Sequence, residues 1–421
     1  MTDHEGTNPF QMPPAPLPEE TLIVSPGPKR RPAAYLAVLI GLVAMAGGAV
    51  FFARSLGSVE GGADTPVAAV QRLFDALGNE DALGMLETLL PSERDSLSGP
   101  IQDVTRELGR LGILSEDVDL GSIQGIELDF SGLTFSAKDV ASGVSVVTLD
   151  AGSSTYTVDP ARSPLGDFVR GLMPEEANEV IKGSDDLSDE DIAIATIKEG
   201  DKWFVSLWYS VAEGARTSLG APVPPFGNGI VARGEATPEA AVEAFIRSAV
   251  LLEVRRLIEL TPPEEARALH DYAPLFIDAA ESGAREARKH YSAEVSVLKL
   301  AGSQTGDRAI VKVDELEFSF SIPELGIAAE YDGQCVTIRG GDFFGSDTPQ
   351  RQCGTGLGAI PVPGFPQLQQ PEIGFVAVRE GGEWFVSPTA TIFDGLIATL
   401  KGLDRNALEM FVQIFGGLSG G

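Results

Sequence analysis

Hydrophobic and polar positions alternate in three distinct ways along this chain. From Pro32 to Ala53 they do not alternate at all: 22 residues pass without a charge. At about 1.5 Å per helical residue that run crosses the roughly 30 Å hydrocarbon core of a bilayer once. Farther on, Val70, Phe74 and Leu77, and later Val242, Ile246 and Ala249, recur at i, i+4 and i+7, the stripe of a helix packed on one face. Then come stretches of strand-like alternation: Ile126 to Phe135, Val144 to Val158 and Ile192 to Trp208, followed by Val295 to Leu300, Ala309 to Ile322, Ile327 to Ile338 and Phe375 to Val386. Helices leading into antiparallel strands, twice over, predict an α+β fold.

The doubling is visible in the letters. Thr65-Pro66-Val67-Ala68-Ala69-Val70 returns as Thr237-Pro238-Glu239-Ala240-Ala241-Val242, at an offset of 172, and Pro91 falls on Pro263. Lys202-Trp203-Phe204-Val205-Ser206 returns as Glu383-Trp384-Phe385-Val386-Ser387, at an offset of 181. Thr65 and Thr237 are N-cap residues followed by proline at the first helical position, so each copy opens with a helix. A second helix ends near Pro91 or Pro263, and a third is expected around 100–113 and 272–290. The domain reading is a cytoplasmic tail at 1–31 and a transmembrane helix at 32–54, then repeats at 65–212 and 237–395 joined by a Pro/Gly linker at 213–236. A C-terminal helix and Gly-rich end occupy 396–421. Ile392 to Phe415 is apolar at helical spacing but carries Asp394, Lys401, Asp404, Arg405 and Glu409, too many charges for a second span.

The helix-then-sheet order, the TPEAAVEAFIRSA opening and the GGEWFVS close resemble the nuclear-transport-factor-2-like cone, also called SnoaL-like or cystatin-like. They look in particular like tandem cones of actinobacterial membrane-anchored envelope proteins. The resemblance implies a curved antiparallel sheet with helices in its concavity and a pocket that is filled, empty or used. It implies no single activity.

Charge adds direction. Lys29, Arg30 and Arg31 precede the apolar run and only Arg54 closely follows it, which keeps the N-terminus cytoplasmic and places the bulk outside. A cleaved signal peptide ending at Ala44-Met45-Ala46 is the rival; the 28-residue leader is long for it, and the apolar run continues to Ala53. The chain holds 61 acidic and 31 basic residues, a net charge of -30, and through Arg54 four acids cancel four bases, so the whole excess lies beyond the span. Such a field excludes nucleic acid and leaves basic proteins, cations or neutral ligands as partners. Cys335 and Cys353 enclose 17 residues, and outside the cytoplasm they are expected to form a disulfide, worth about 3 kcal/mol on loop entropy. With two cysteines and no paired histidines no zinc site is expected, nor any cofactor.

Chemistry is thinly represented. His270-Asp271-Tyr272 is the best acid-base candidate, since enzymes of the superfamily it resembles use these residue types in their pockets. His290, near a helix end, suits the negative pole of a helix dipole. Glu19-Glu20-Thr21-Leu22-Ile23-Val24 resembles the phosphothreonine sites read by FHA domains, which makes Thr21 a phosphorylation candidate. Gly417 to Gly421 fits G-x-S-x-G without the helix a nucleophile elbow requires. Gly354 to Gly358 is followed by Pro361 and Pro363, which forbid the helix of a dinucleotide loop. Asp185, Asp186, Asp189, Glu190 and Asp191 lack EF-hand spacing and read as a solvated acidic loop. The expected function is a non-enzymatic, membrane-anchored extracytoplasmic module binding a protein partner or an apolar ligand. The alternatives are an acid-base enzyme in one cone and a kinase-regulated scaffold acting through Thr21.

Overall fold

A computed structural model describes residues 62–173, 179–188, 192–323, 327–332, 335–339, 349–353 and 374–409. The tail with Thr21, the apolar run at 32–54 and the Gly-rich end therefore lie outside the described residues. Among the described residues no helix is long and apolar enough to cross a membrane.

The first half opens with helices α1 (Pro66–Gly78), α2 (Ala82–Thr88) and α3 (Pro91–Arg110). A long hairpin follows, β1 (Ile126–Ala141) and β2 (Val144–Val158), then the short helix α4 (Asp167–Leu172) and strand β3 (Ile181–Asp186). The hairpin β4 (Ala193–Glu199) and β5 (Lys202–Val205) leads into helix α5 (Leu207–Ser218). The second half has the same plan: α6 (Pro238–Val250), α7 (Val254–Glu259), α8 (Arg267–Tyr272) and α9 (Ile277–His290). Its strands are β6 (Ser292–Thr305), β7 (Arg308–Ile322), β8 (Ile327–Asp332), β9 (Cys335–Arg339), β10 (Gln350–Cys353), β11 (Gly374–Glu380) and β12 (Glu383–Val386). Helix α10 (Pro388–Gly402) closes it.

All strand pairs within both sheets are antiparallel, in a mixed α+β architecture. In each sheet one long strand serves two partners along a single edge. β2 pairs with β4 over Val144 to Thr148 and with β3 over Ser153 to Val158; β7 pairs with β11 over Arg308 to Lys312 and with β8 over Glu317 to Ile322. The partners diverge, and the register shifts at Ser131/Thr134 and Val295/Val297 bend the long hairpins, so both sheets curl around their helices. Phe74 of α1 lies in the first hollow, in contact with Phe130 and Phe135, and Val242 of α6 lies in the second, against Val311 and Trp384.

Local hydrogen bonds recur at the two sequence offsets. Thr65 accepts from Ala68 N and Thr237 from Ala240 N. Ala63 exchanges two backbone bonds with Trp203, and Glu235 does so with Trp384. Ser206 N donates to Ala195 O at 3.0 Å, and Ser387 N to Val376 O at 2.9 Å. Ser210 Oγ accepts from Ala195 N, and Thr391 Oγ1 accepts from Val376 N.

Four expectations change. The strand-like stretch Ile192 to Trp208 ends at Val205: β4 and β5 pair across a turn at Gly200, and Ser206 caps α5 by accepting from Tyr209 N, so Trp208 is helical and α5 occupies the start of the expected linker. The helix expected at 100–113 begins at Pro91 and passes through Pro100, because the buried stripe Leu97, Ile101 and Val104 outweighs one lost backbone bond. In the second half the stretch expected as a helix over 272–290 is divided, since Pro274 sits in a 3₁₀ turn between α8 and α9. Asp185 and Asp186 lie on β3 rather than in a loop, while residues 189–191 fall outside the described residues.

The closing helices pack across the halves. Ile397 and Leu400 of α10 join Val104 and Leu111 of α3, and Tyr209 of α5 joins Ala268 and Tyr272 of α8. Arg110 fastens the first contact by donating to Leu400 O at 2.7 Å and Leu403 O at 3.1 Å, which satisfies two carbonyls at the end of α10.

Candidate functional site

A carboxylate stands at the start of each closing helix, buried in the first half and half-buried in the second. Glu93, in the first turn of α3, accepts from Ser206 Oγ, from Leu207 N at 2.7 Å and from Trp208 N at 3.4 Å. Glu265, its counterpart in the second copy, accepts from Ser387 Oγ at 2.5 Å and Thr389 N at 2.9 Å. The free N–H groups and positive pole of a helix N-terminus favour such an anion. Burial pushes the Glu93 carboxyl up, only partly opposed by its three bonds.

Beside these caps lies an aromatic and carboxylate cluster at the junction of the halves. Tyr209 of α5 donates to Asp271 of α8, and Tyr272 of α8 donates to Glu213 of α5, a reciprocal exchange. The two tyrosine rings meet edge to face at 5.9 Å, and Phe226 packs on both. Arg216 grips Glu213 through Nε at 2.9 and 3.1 Å and Nη2 at 2.8 Å. Burial and then the carboxylate partner push both tyrosine hydroxyls far up. Burial pushes Glu213 the other way from its bonds, and the Arg216 and Tyr272 bonds win, holding it below the usual range.

Arg216 and Tyr272 of this cluster also line an apolar groove of about 590 Å³ between α5, α8 and α10. Trp208 and Val211 come from α5 and Leu219 from its C-cap, Leu269 from α8, and Ile392 and Phe393 from α10. Val211 is 65% exposed, Leu219 82% and Ile392 69%, far more than apolar side chains in a packed core. Its polar groups are few: Arg216, Tyr272, Thr389 and the Glu265 cap. A concave, largely apolar lining with few polar groups is the character of small-molecule sites, whose volumes run from roughly 300 to 1,000 Å³.

His270, Asp271 and Tyr272 do not converge. Consecutive helical residues point about 100° apart. Asp271 and Tyr272 meet the α5 side chains described above, while His270 Nδ1 donates to Ile230 O at 2.9 Å and Nε2 lies 3.2 Å from both Thr261 Oγ1 and Thr261 O. His270 thus fastens the inter-repeat segment, and its backbone carbonyl accepts from Ile230 N at 3.1 Å. His290 stands at the C-terminus of α9, 3.7 Å from Glu286. Cys335 and Cys353 are directly opposite in the β9–β10 register, and the side chain of Cys353 lies outside the described residues. Thr21 also lies outside them.

The caps and the groove escaped the sequence reading. The P-x-E pairing of Pro91 with Glu93 and Pro263 with Glu265, at the repeat offset, was the available signal for the caps. Ile392 to Phe415 reads in the sequence as an apolar helix and carries no signal for a groove.

No protein-family model matches the chain, and no curated protein does. Among solved structures, an Ntf2-like protein involved in plasmid conjugation aligns at 8% identity over 76% of this chain and 92% of that chain, with a TM-score of 0.16. The fold and site define a mixed α+β protein with two curled antiparallel sheets and an apolar groove at their junction.

Proposed function

We propose that this protein is a binding module of the cell envelope, a pair of duplicated nuclear-transport-factor-2-like cones tethered by residues 32–54, whose groove holds an apolar ligand. The groove itself carries the reading: exposed Val211, Leu219 and Ile392 surround a hollow that water occupies at a cost, and an apolar guest relieves it. The duplicated hydrogen bonds support the tandem reading, and the three basic residues before the apolar run support the tether. In an oxidising exterior the paired positions of Cys335 and Cys353 on β9 and β10 favour a disulfide there.

A fluorescent apolar dye titrated into the full chain tests the ligand site. It is expected to brighten and to quench Trp208, and Ile392→Glu, a change at an exposed position, is expected to weaken it about tenfold or more. Dye binding unaffected by Ile392→Glu and Val211→Glu sinks the proposal. A membrane-impermeant thiol label placed at an exposed position of either half must react on intact cells; reaction only at the N-terminal tail reverses the orientation.

A further inference from the structure

A second hollow, of about 320 Å³, lies where α7 runs beside α9, and four arginines line it: Arg255, Arg256, Arg285 and Arg288. In a chain of net charge -30 four guanidinium groups here share one hollow with three carboxylates, Glu253, Glu259 and Glu281. Carboxylates occupy part of it. Arg255 binds Glu281 at 2.8 Å, and Arg256 binds Glu235 at 2.6 Å and Glu259 at 3.3 Å. The other two are less engaged. Arg285 is 61% exposed and reaches the shared Glu281 only at 3.9 Å, and Arg288 donates to the Leu251 carbonyl at 3.1 Å, one of the five donors a guanidinium offers.

The first half supplies an internal control. Its α1–α2 corner repeats the backbone of the α6–α7 corner: Glu80 and Leu252, equivalent positions of the repeat, both take left-handed conformations, with φ of 50° and 54°. In the same alignment Leu83 and Gly84 stand where Arg255 and Arg256 stand in the second half. The corner forms without arginines, so the backbone turn does not demand them.

We propose that this hollow binds a phosphate ester, with the phosphate held between Arg285 and Arg288. The two side chains are three residues apart on α9 and so share a face. Two guanidinium forks suit a tetrahedral, multiply charged oxyanion better than a single carboxylate. The remaining volume accommodates the alcohol of a small ester or of a lipid headgroup. This site is distinct from the apolar groove, and each stands without the other.

The test is calorimetric titration of inorganic phosphate into the full-length chain in non-ionic detergent. Binding is expected to weaken about tenfold in each of Arg285→Gln and Arg288→Gln and to fall with added salt. Arg285→Gln is the decisive variant because Arg288 also braces the Leu251 carbonyl, and its melting temperature is expected to match the unaltered chain. Competition by glycerol phosphate points to a free ester, and competition by a soluble short-chain phosphatidylglycerol to a lipid headgroup. Absence of phosphate binding, undiminished binding in Arg285→Gln, or indifference to both competitors overturns the proposal.

Discussion

Glu93 and Glu265 occupy equivalent stations in the two halves, yet Glu93 is 2% exposed and sealed in, while Glu265 opens onto the groove. Their hydrogen bonds differ at one residue. Leu207 offers Glu93 a backbone N–H, whereas Pro388, at the corresponding place, has none to offer Glu265. Both halves need a carboxylate to start the closing helix, because an N-terminus inside the protein leaves donors unsatisfied. Once that need is met with fewer bonds, the second carboxylate keeps an edge toward the groove. The first carboxylate is thus enclosed by its own half, and the second borders the groove.

The largest expected effect separates these two caps. Glu93→Ala strands the buried Ser206 hydroxyl and two half-buried amides and is expected to destabilise the chain by about 3 kcal/mol, against about 1 kcal/mol for Glu265→Ala, read from urea unfolding. Equal losses would mean that the two caps are energetically the same. A smaller effect distinguishes the tyrosines: Tyr209→Phe removes the donor to Asp271, while Tyr272→Phe leaves Glu213 its Arg216 partner. The first is expected to cost about 1–2 kcal/mol and the second about half of that, by the same measurement.

The smallest effect is in pH. Glu93 is raised above its ordinary 4.5, so its contribution to stability is full below that pH and fades as pH rises through the folded value. Glu213 is lowered, so its contribution is present above 4.5 and is lost as pH falls through its folded value. Melting curves of Glu93→Gln and Glu213→Gln, each compared with the unaltered chain, are expected to show differences of opposite slope, read above pH 4.5 for Glu93 and below it for Glu213. Parallel slopes would refute the assignment.

Much of the scaffold was legible because it is local. Thr65-Pro66 and Thr237-Pro238 announce their helices through a side-chain cap and a preset φ, and the alternation from Val144 to Val158 states a strand without help from distant residues. Where local signals compete, the sequence misled. Trp203 to Trp208 is apolar at every position but Ser206 and reads as the continuation of a strand, and the cap at Ser206, completed by the distant carboxylate of Glu93, turns its end into a helix. His270-Asp271-Tyr272 looked like one chemical unit because its members are adjacent in the chain, and helical geometry sends each to a different partner.

The sequence alone determined the doubling of motifs, the acidic excess and the apolar run, because repetition, composition and hydropathy need no third dimension. Tertiary structure alone decided that α5 and α10 pack across the halves, and so that Trp208 and Ile392, one from the close of each copy, line one groove. The physical reason is that burial is a property of neighbours: a chain specifies which of its residues avoid water, and only folding specifies which of them do so together.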